Sequence, residues 1–305
     1  NPPPKFCGST EKGPLEDFRH GIARPFYEPP ASLKKALDEG VLFGPAVNKL
    51  TLCNYVTPAI VRAVEWVTAL TPNFPHFYLC SSRDEAFDKT LKLMRTHRPD
   101  AQTALGLEGG YVGHTSAAAR SLTDPGVHCS GPGYFPFIRI PHPSLVDEGV
   151  ALEALRGAID GAGGPEKILA LFVEVVQERT GQALQQSGAQ ALSSFCKAVD
   201  IPIVAVESAS GYYRTGHGPF AAEALGLAHE AMIWWGGGHV GFVHVSARYF
   251  VSTPLTMVST WDGDELSLIR HHHQLREARK MNIREKIQAF DRAFDPARSA
   301  GLTVL

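Results

Sequence analysis

Two short runs constrain the fold more than anything else in this chain. Residues 168–176 read Ile-Leu-Ala-Leu-Phe-Val-Glu-Val-Val, and residues 201–206 read Ile-Pro-Ile-Val-Ala-Val. Both are almost wholly apolar and rich in β-branched side chains. A strand of that kind is buried on both faces, as in a parallel sheet covered by helices on both sides. Around these runs the hydrophobic period changes to that of helices. Helices are predicted over 58–70 (capped by Thr57), 83–97, 150–159 and 189–199. Further strands are predicted over 76–80, 104–107, 232–235 and 242–245, and one long or kinked polar helix over 262–293. Repeated strand–helix alternation implies an α/β fold with a mainly parallel sheet and right-handed crossovers. In such a sheet the ligand site lies at the C-terminal strand ends.

Composition narrows the function classes. The chain has 305 residues, with 29 Lys plus Arg against 31 Asp plus Glu, a formal charge of -2. That balance gives no direct nucleic-acid signal. No apolar run is long enough to span a membrane. Five cysteines without a CxxC pair argue against a disulfide framework and for a reducing compartment. Residues 1–50 form a Pro-rich arm over a core or partner, or else a flexible tail, with a short helix over 32–39 capped by Ser32. The expected division is this arm, a large domain over 51–262 and a C-terminal helical segment over 263–305. The first residue is Asn1, which suggests a processed product and, on that ground, a mitochondrial location, with the cytoplasm as the alternative.

Six segments in order carry a family resemblance. Cys80-Ser81-Ser82-Arg83-Asp84-Glu85-Ala86 resembles N-S-G-x-E-A, and Leu91-Lys92-Leu93-Met94-Arg95 the helix that follows it. Tyr111-Val112-Gly113-His114-Thr115 resembles Y-H-G-R-T, and Ile140-Pro141-His142-Pro143 resembles x-P-Y-P. Glu174-Val175-Val176-Gln177-Glu178 resembles E-P-I-Q-G-E, and residues 206–216 resemble D-E-V-Q-T-G-F-G-R-T-G. Ser259-Thr260-Trp261 resembles a T-F-G segment. Together they resemble the class III, ornithine- and acetylornithine-type, aminotransferases over roughly residues 50–280. The resemblance implies a fold-type-I large domain that binds pyridoxal phosphate, with the small C-terminal domain truncated or absent.

Residue by residue, the resemblance implies a degenerate cofactor site. In the family the cofactor is the electron sink, and the protein supplies a Schiff-base lysine, an Asp against the pyridine nitrogen, a Gly turn for the phosphate and a stacking aromatic. The lysine position falls on Ile233, Trp235 or Gly236, depending on the gap, and no lysine lies between Lys197 and Lys280. The Asp position is Val206; Glu207 is adjacent but points to the opposite face of a strand. The phosphate Gly is Arg83, and Asp84 behind it would repel a phosphate. Ser82 reads as a helix cap, with Asp84 and Glu85 complementing the helix dipole; Arg83 as an anion ligand is the other reading. Tyr111 stands at the stacking position, and Thr260 where family dimers reach the partner's phosphate, or as a helix cap. Ser82, Arg83, Tyr111, Val112, Glu174, Gln177, Val206, Glu207 and Thr260 are therefore read as a vestigial cofactor site.

Other constellations carry less. His271, His272 and His273 point about 100° apart on a helix and cannot share an ion; they read as a solvated face, and no metal site is expected. Ser208 lacks the glycines of a nucleophile elbow. Of Trp234 and Trp235, one is expected to fill the space of the missing cofactor. The expectation is a catalytically inactive aminotransferase-like protein, binding no cofactor, with a structural role in a homodimer or hetero-assembly. The alternatives are a pyridoxal-phosphate-dependent aminotransferase with atypical site residues, and a sensor that binds an anion at Arg83.

Overall fold

The β-branched runs become buried parallel strands, and the helical periods become the layers that cover them. The computed structural model describes residues 9–10, 13–14, 30–48, 55–128, 131–216, 218–236, 239–289 and 292. In chain order the elements are β1 (Ser9–Thr10), β2 (Gly13–Pro14), α1 (Ala31–Asp38), α2 (Phe43–Asn48), α3 (Pro58–Thr68), β3 (His76–Cys80), α4 (Arg83–His97), β4 (Thr103–Leu107), α5 (Ala117–Leu122), β5 (Ile138–Ile140), α6 (Glu148–Ala162), β6 (Ile168–Glu174), α7 (Gln186–Ala198), β7 (Ile203–Val206), β8 (Ala231–Trp235), β9 (Gly241–Val245) and α8 (Glu265–Ala278).

β1 and β2 pair with each other; the remaining strands form one seven-stranded sheet ordered β3-β9-β8-β7-β6-β4-β5. Strands β4 to β8 are mutually parallel, and β9 runs antiparallel to both β8 and β3. The α/β class and the mainly parallel sheet are thus as the sequence implies. Every residue of β6 and β7 is buried, because helices cover both faces. Leu171 and Val173 pack with Leu155, Ile159 and Leu192 of α6 and α7 on one side. Ala170 and Phe172 pack with Phe87, Leu93 and Met94 of α4 on the other.

Besides the short helices α2 and α5, which the sequence reading lacks, four details differ from it. β5 is an edge strand of three residues that the sequence pattern does not predict, since Arg139 and Pro141 hide so short an apolar signal. α1 starts one residue early, so Ser32 lies inside it; its hydroxyl meets His273 Nδ1 at 3.0 Å rather than capping the helix. The long C-terminal helix does not begin at Asp262, because Gly263 turns the chain at φ 70°. It starts behind an Asp264 cap, breaks at 279–282 and is helical again over 283–289. The histidine triplet is not a solvated face either: His271 is 1% exposed, stacked on Tyr212, and His272 packs edge-on against Trp66. Most of the Pro-rich arm, and the end of the chain from 293, lie outside the described residues.

Candidate cofactor site at the strand ends

The loops that follow β3, β4, β6, β7 and β8 converge at the C-terminal edge of the parallel strands, where the topology calls for a ligand. Ser82 opens α4. Its extended backbone and its hydroxyl, which accepts from Glu85 N at 3.1 Å, make it the N-cap. Ser82→Ala is expected to cost about 1 kcal/mol and to lower Tm by about 2–4 °C, read in a thermal melt.

Arg83, the next residue, turns toward the β4 and β6 loops. Its guanidinium pairs with Glu178, donates to the Tyr111 hydroxyl at 3.2 Å and lies 4.6 Å from the Tyr111 ring centroid. Arg179 lies over the same ring at 4.3 Å. Tyr111 is fully buried; its hydroxyl meets His114 Nδ1 at 2.7 Å, and His128 approaches the ring edge-on at 5.5 Å. Val112 packs in the α4-side core, and its N–H donates to Thr123.

Glu174, at the end of β6, accepts from Tyr111 N at 2.6 Å and from Glu178 N at 3.2 Å. Burial pushes its carboxyl up to about 8, against the pull of those hydrogen bonds. Gln177 is buried, donates to Glu108 O at 2.7 Å and accepts from the Thr180 hydroxyl at 2.6 Å. Both hold the β4 and β6 loops together. Asp84 does not sit beside the helix start as a dipole partner alone. Its Oδ2 accepts from the N–H groups of His114, Thr115 and Ser116 at 2.8, 2.6 and 3.1 Å, and from the Thr115 hydroxyl at 2.7 Å.

The β7 and β8 ends differ in kind. Val206 is packed in the α4-side core beside Ile233. Glu207 accepts from Ala221 N and Ala222 N at 2.8 and 2.6 Å and from the Ser210 hydroxyl, which turns its carboxyl into the 207–222 loop. At Gly236 an added Cβ would lie 2.8 Å from His271 Nδ1, so no longer side chain fits there. Trp234 is 1% exposed and stacks on Phe242 at 4.2 Å in the layer of α6 and α7, away from Val206. It therefore fills core rather than a cofactor space. Trp235 is half-buried at the strand end. Thr260 is exposed, on a turn tied to β3 by the Ser81 hydroxyl donating to Trp261 O at 3.2 Å. Buried Lys89 braces that turn through Asp262 at 2.6 Å, and Asp262 in turn accepts from Ser259 N at 2.7 Å.

Ser82, Arg83, Tyr111, Val112, Glu174 and Gln177 are thus brought together, while Glu207 is aimed elsewhere. Arg179, His114 and His128 were missed by sequence reasoning. The available signals were that Arg179 follows the Glu174–Glu178 segment directly and that His114 stands at the Arg position of the segment resembling Y-H-G-R-T. Among the described residues, no group of three or more His, Cys, Asp and Glu side chains is placed to hold a metal ion. No described helix is long and apolar enough to cross a membrane.

No protein-family model matches the chain, and no curated protein does. Solved structures do match in fold. A transaminase from the marine bacterium Virgibacillus is 22% identical at a TM-score of 0.71, over 82% of this chain and 60% of its own. The lysine aminotransferase of M. tuberculosis, in its internal aldimine form, is 21% identical at a TM-score of 0.74, over 88% and 68%. An amine transaminase from an uncultivated Pseudomonas species, in a PLP-bound internal aldimine form, is 17% identical at 0.71, over 82% and 63%. The chain spans about 60% of the length of the first of these. It has the transaminase fold. The expectation of no cofactor is overturned by this likeness, since structures of this fold include a PLP-bound one.

Proposed function

We propose that this chain is an aminotransferase-like protein that takes pyridoxal phosphate at the Arg83–Tyr111 corner without a Schiff base, and serves as a structural subunit rather than as a transaminase. The observation that carries this reading is the pairing of a transaminase fold with a strand-end region that holds no lysine from 198 to 279. The residues present fit one end of the cofactor and not the other. Two guanidinia suit its phosphate, while the Tyr111 ring is already covered by them and offers its flat face nothing. Its aldehyde finds no amine, and Val206 offers no charge to its ring nitrogen.

When bound, the cofactor supplies an electron sink. This chain's residues would bind and orient it: Arg83 and Arg179 hold an anion, the buried Tyr111 ring supports both guanidinia, and Glu174 and Gln177 fix the loops that carry them. The proposed assembly is with a second copy or another protein.

A second reading, a pyridoxal-phosphate-dependent aminotransferase with atypical site residues, is favoured by the solved forms that carry an internal aldimine. One experiment separates the two. Pyridoxal phosphate is titrated into the purified protein, followed by borohydride and peptide mapping. A saturable spectral change with no reduced lysine adduct supports the first reading. A stoichiometric adduct on one lysine would establish the second, and no binding at all would remove the cofactor from both.

A further inference from the structure

The charge around Glu178 does not balance. Glu178 pairs with Arg83, and its chain neighbour Arg179 lies over the same Tyr111 ring. Two guanidinium charges thus sit around one carboxylate. The other nearby acid, Glu174, is fully buried and held toward its neutral form. A positive excess of this kind, beside a wall of aromatic rings, is a preformed seat for a compact dianion. The seat has one open side, while the Arg83 and Glu178 side chains behind it are only 17% and 8% exposed. Arg179 and His114 are exposed, and His128 is half-buried. It is also partly unfilled from within: Arg83 Nε is buried and meets no hydrogen-bond partner.

We propose that Arg83 and Arg179, set around Glu178 beside Tyr111, bind the phosphate group of a phosphate monoester, and that Glu178 is the internal counter-ion that the phosphate displaces. This rests on the reading above, and it moves the phosphate. The start of α4 lacks a glycine at Arg83. The neighbouring cradle of His114, Thr115 and Ser116 N–H groups is already filled by the Asp84 carboxylate. Both guanidinia reach the anion from side chains, so close backbone approach is not required. The exchange is a swap of partners: Arg83 gives up one carboxylate oxygen and gains phosphate oxygens in a bidentate geometry.

The opposing variants make this testable. Inorganic phosphate is titrated by calorimetry at constant ionic strength, with chloride as the control anion, into wild type, Arg179→Glu and Glu178→Gln. Arg179→Glu is expected to weaken phosphate binding at least about tenfold. Glu178→Gln is expected to tighten it, because the competing carboxylate is gone; a merely structural role for Glu178 would not produce a tighter site. Arg179 is exposed, so its replacement leaves the fold intact, checked by circular dichroism. Equal phosphate affinity in wild type and Arg179→Glu overturns the inference, as does weaker binding in Glu178→Gln. Pyridoxal phosphate binding with no competition from phosphate overturns it too, while the proposed function survives. Phosphate binding through Arg179 with no spectral response to pyridoxal phosphate does the reverse.

Discussion

Glu207→Ala is expected to destabilise the protein by about 4 kcal/mol, and Glu207→Gln by far less. Glu207 is 1% exposed, and its carboxyl accepts from Ala221 N, Ala222 N and the Ser210 hydroxyl. Alanine leaves these donors buried with no acceptor, each at a cost of about 1–3 kcal/mol, partly relieved by loop movement. Glutamine keeps a carbonyl oxygen for the two N–H groups, and the Ser210 hydroxyl can rotate to accept from the amide. A pH signature accompanies the substitution. Burial, outweighing the three hydrogen bonds, pushes the Glu207 carboxyl up to about 7, whereas an unfolded Glu titrates near ~4.3. The native state therefore holds the proton more tightly. The stability this contributes is full below about pH 4.3 and is lost as the pH rises through about 7. Glu207→Gln should flatten the fall of Tm across that window; Glu174, raised in the same direction, keeps part of the slope. Guanidinium melts at pH 5 and pH 8 measure both effects. An unchanged slope in the glutamine variant would show that Glu207 is ionised throughout.

Glu207 also marks how far the sequence was legible. The fold class was readable because strands buried on both faces must be apolar at every position, and β6 and β7 are. The Ser82 cap was readable because helix starts tolerate few residue types, and Ser82 caps α4 in space as well. Strand alternation implies that Glu207 faces away from Val206, but β7 ends at Val206. Nothing in the sequence told where its carboxyl would go, since its partners Ala221 and Ala222 are backbone donors, which any residue type would supply, at the far end of the irregular loop that Glu207 begins. The same holds for Trp234 and His271. An aromatic ring at a strand end and a histidine on a polar helix carry no signal that they will stack on each other's neighbours in the core. Local chemistry was legible; long-range pairing of single side chains was not. Arg83 illustrates both. Its place at the start of a helix was plain, but its pairing with Glu178, 95 residues on, was not.

Asp84 gives the second large effect, with the opposite pH sign. Its Oδ2 gathers the N–H groups of His114, Thr115 and Ser116 and the Thr115 hydroxyl, fixing the loop that carries Tyr111. The fit is tight enough to require glycine at 113: with φ at 129°, an added Cβ there would lie 2.3 Å from Asp84 Oδ1. Asp84→Ala is expected to cost about 3 kcal/mol, less than the full sum for four donors, because His114 and Thr115 are exposed and water can reach them. Asp84→Asn should fall between, since a neutral oxygen accepts more weakly than a carboxylate. Burial acts to raise the Asp84 carboxyl, but the hydrogen bonds from Thr115, Ser116 and His114 together outweigh it, and the net shift is downward. The folded value thus lies below the unfolded one of about 3.9. Its stabilisation is full above that pH and is lost as the pH falls through the folded value. The gap in Tm between wild type and Asp84→Asn should be widest near neutrality and should close in acid. Were the gap independent of pH, the loop would be held by packing alone, and the Asp84 charge would contribute nothing to fixing Tyr111 beneath Arg83 and Arg179.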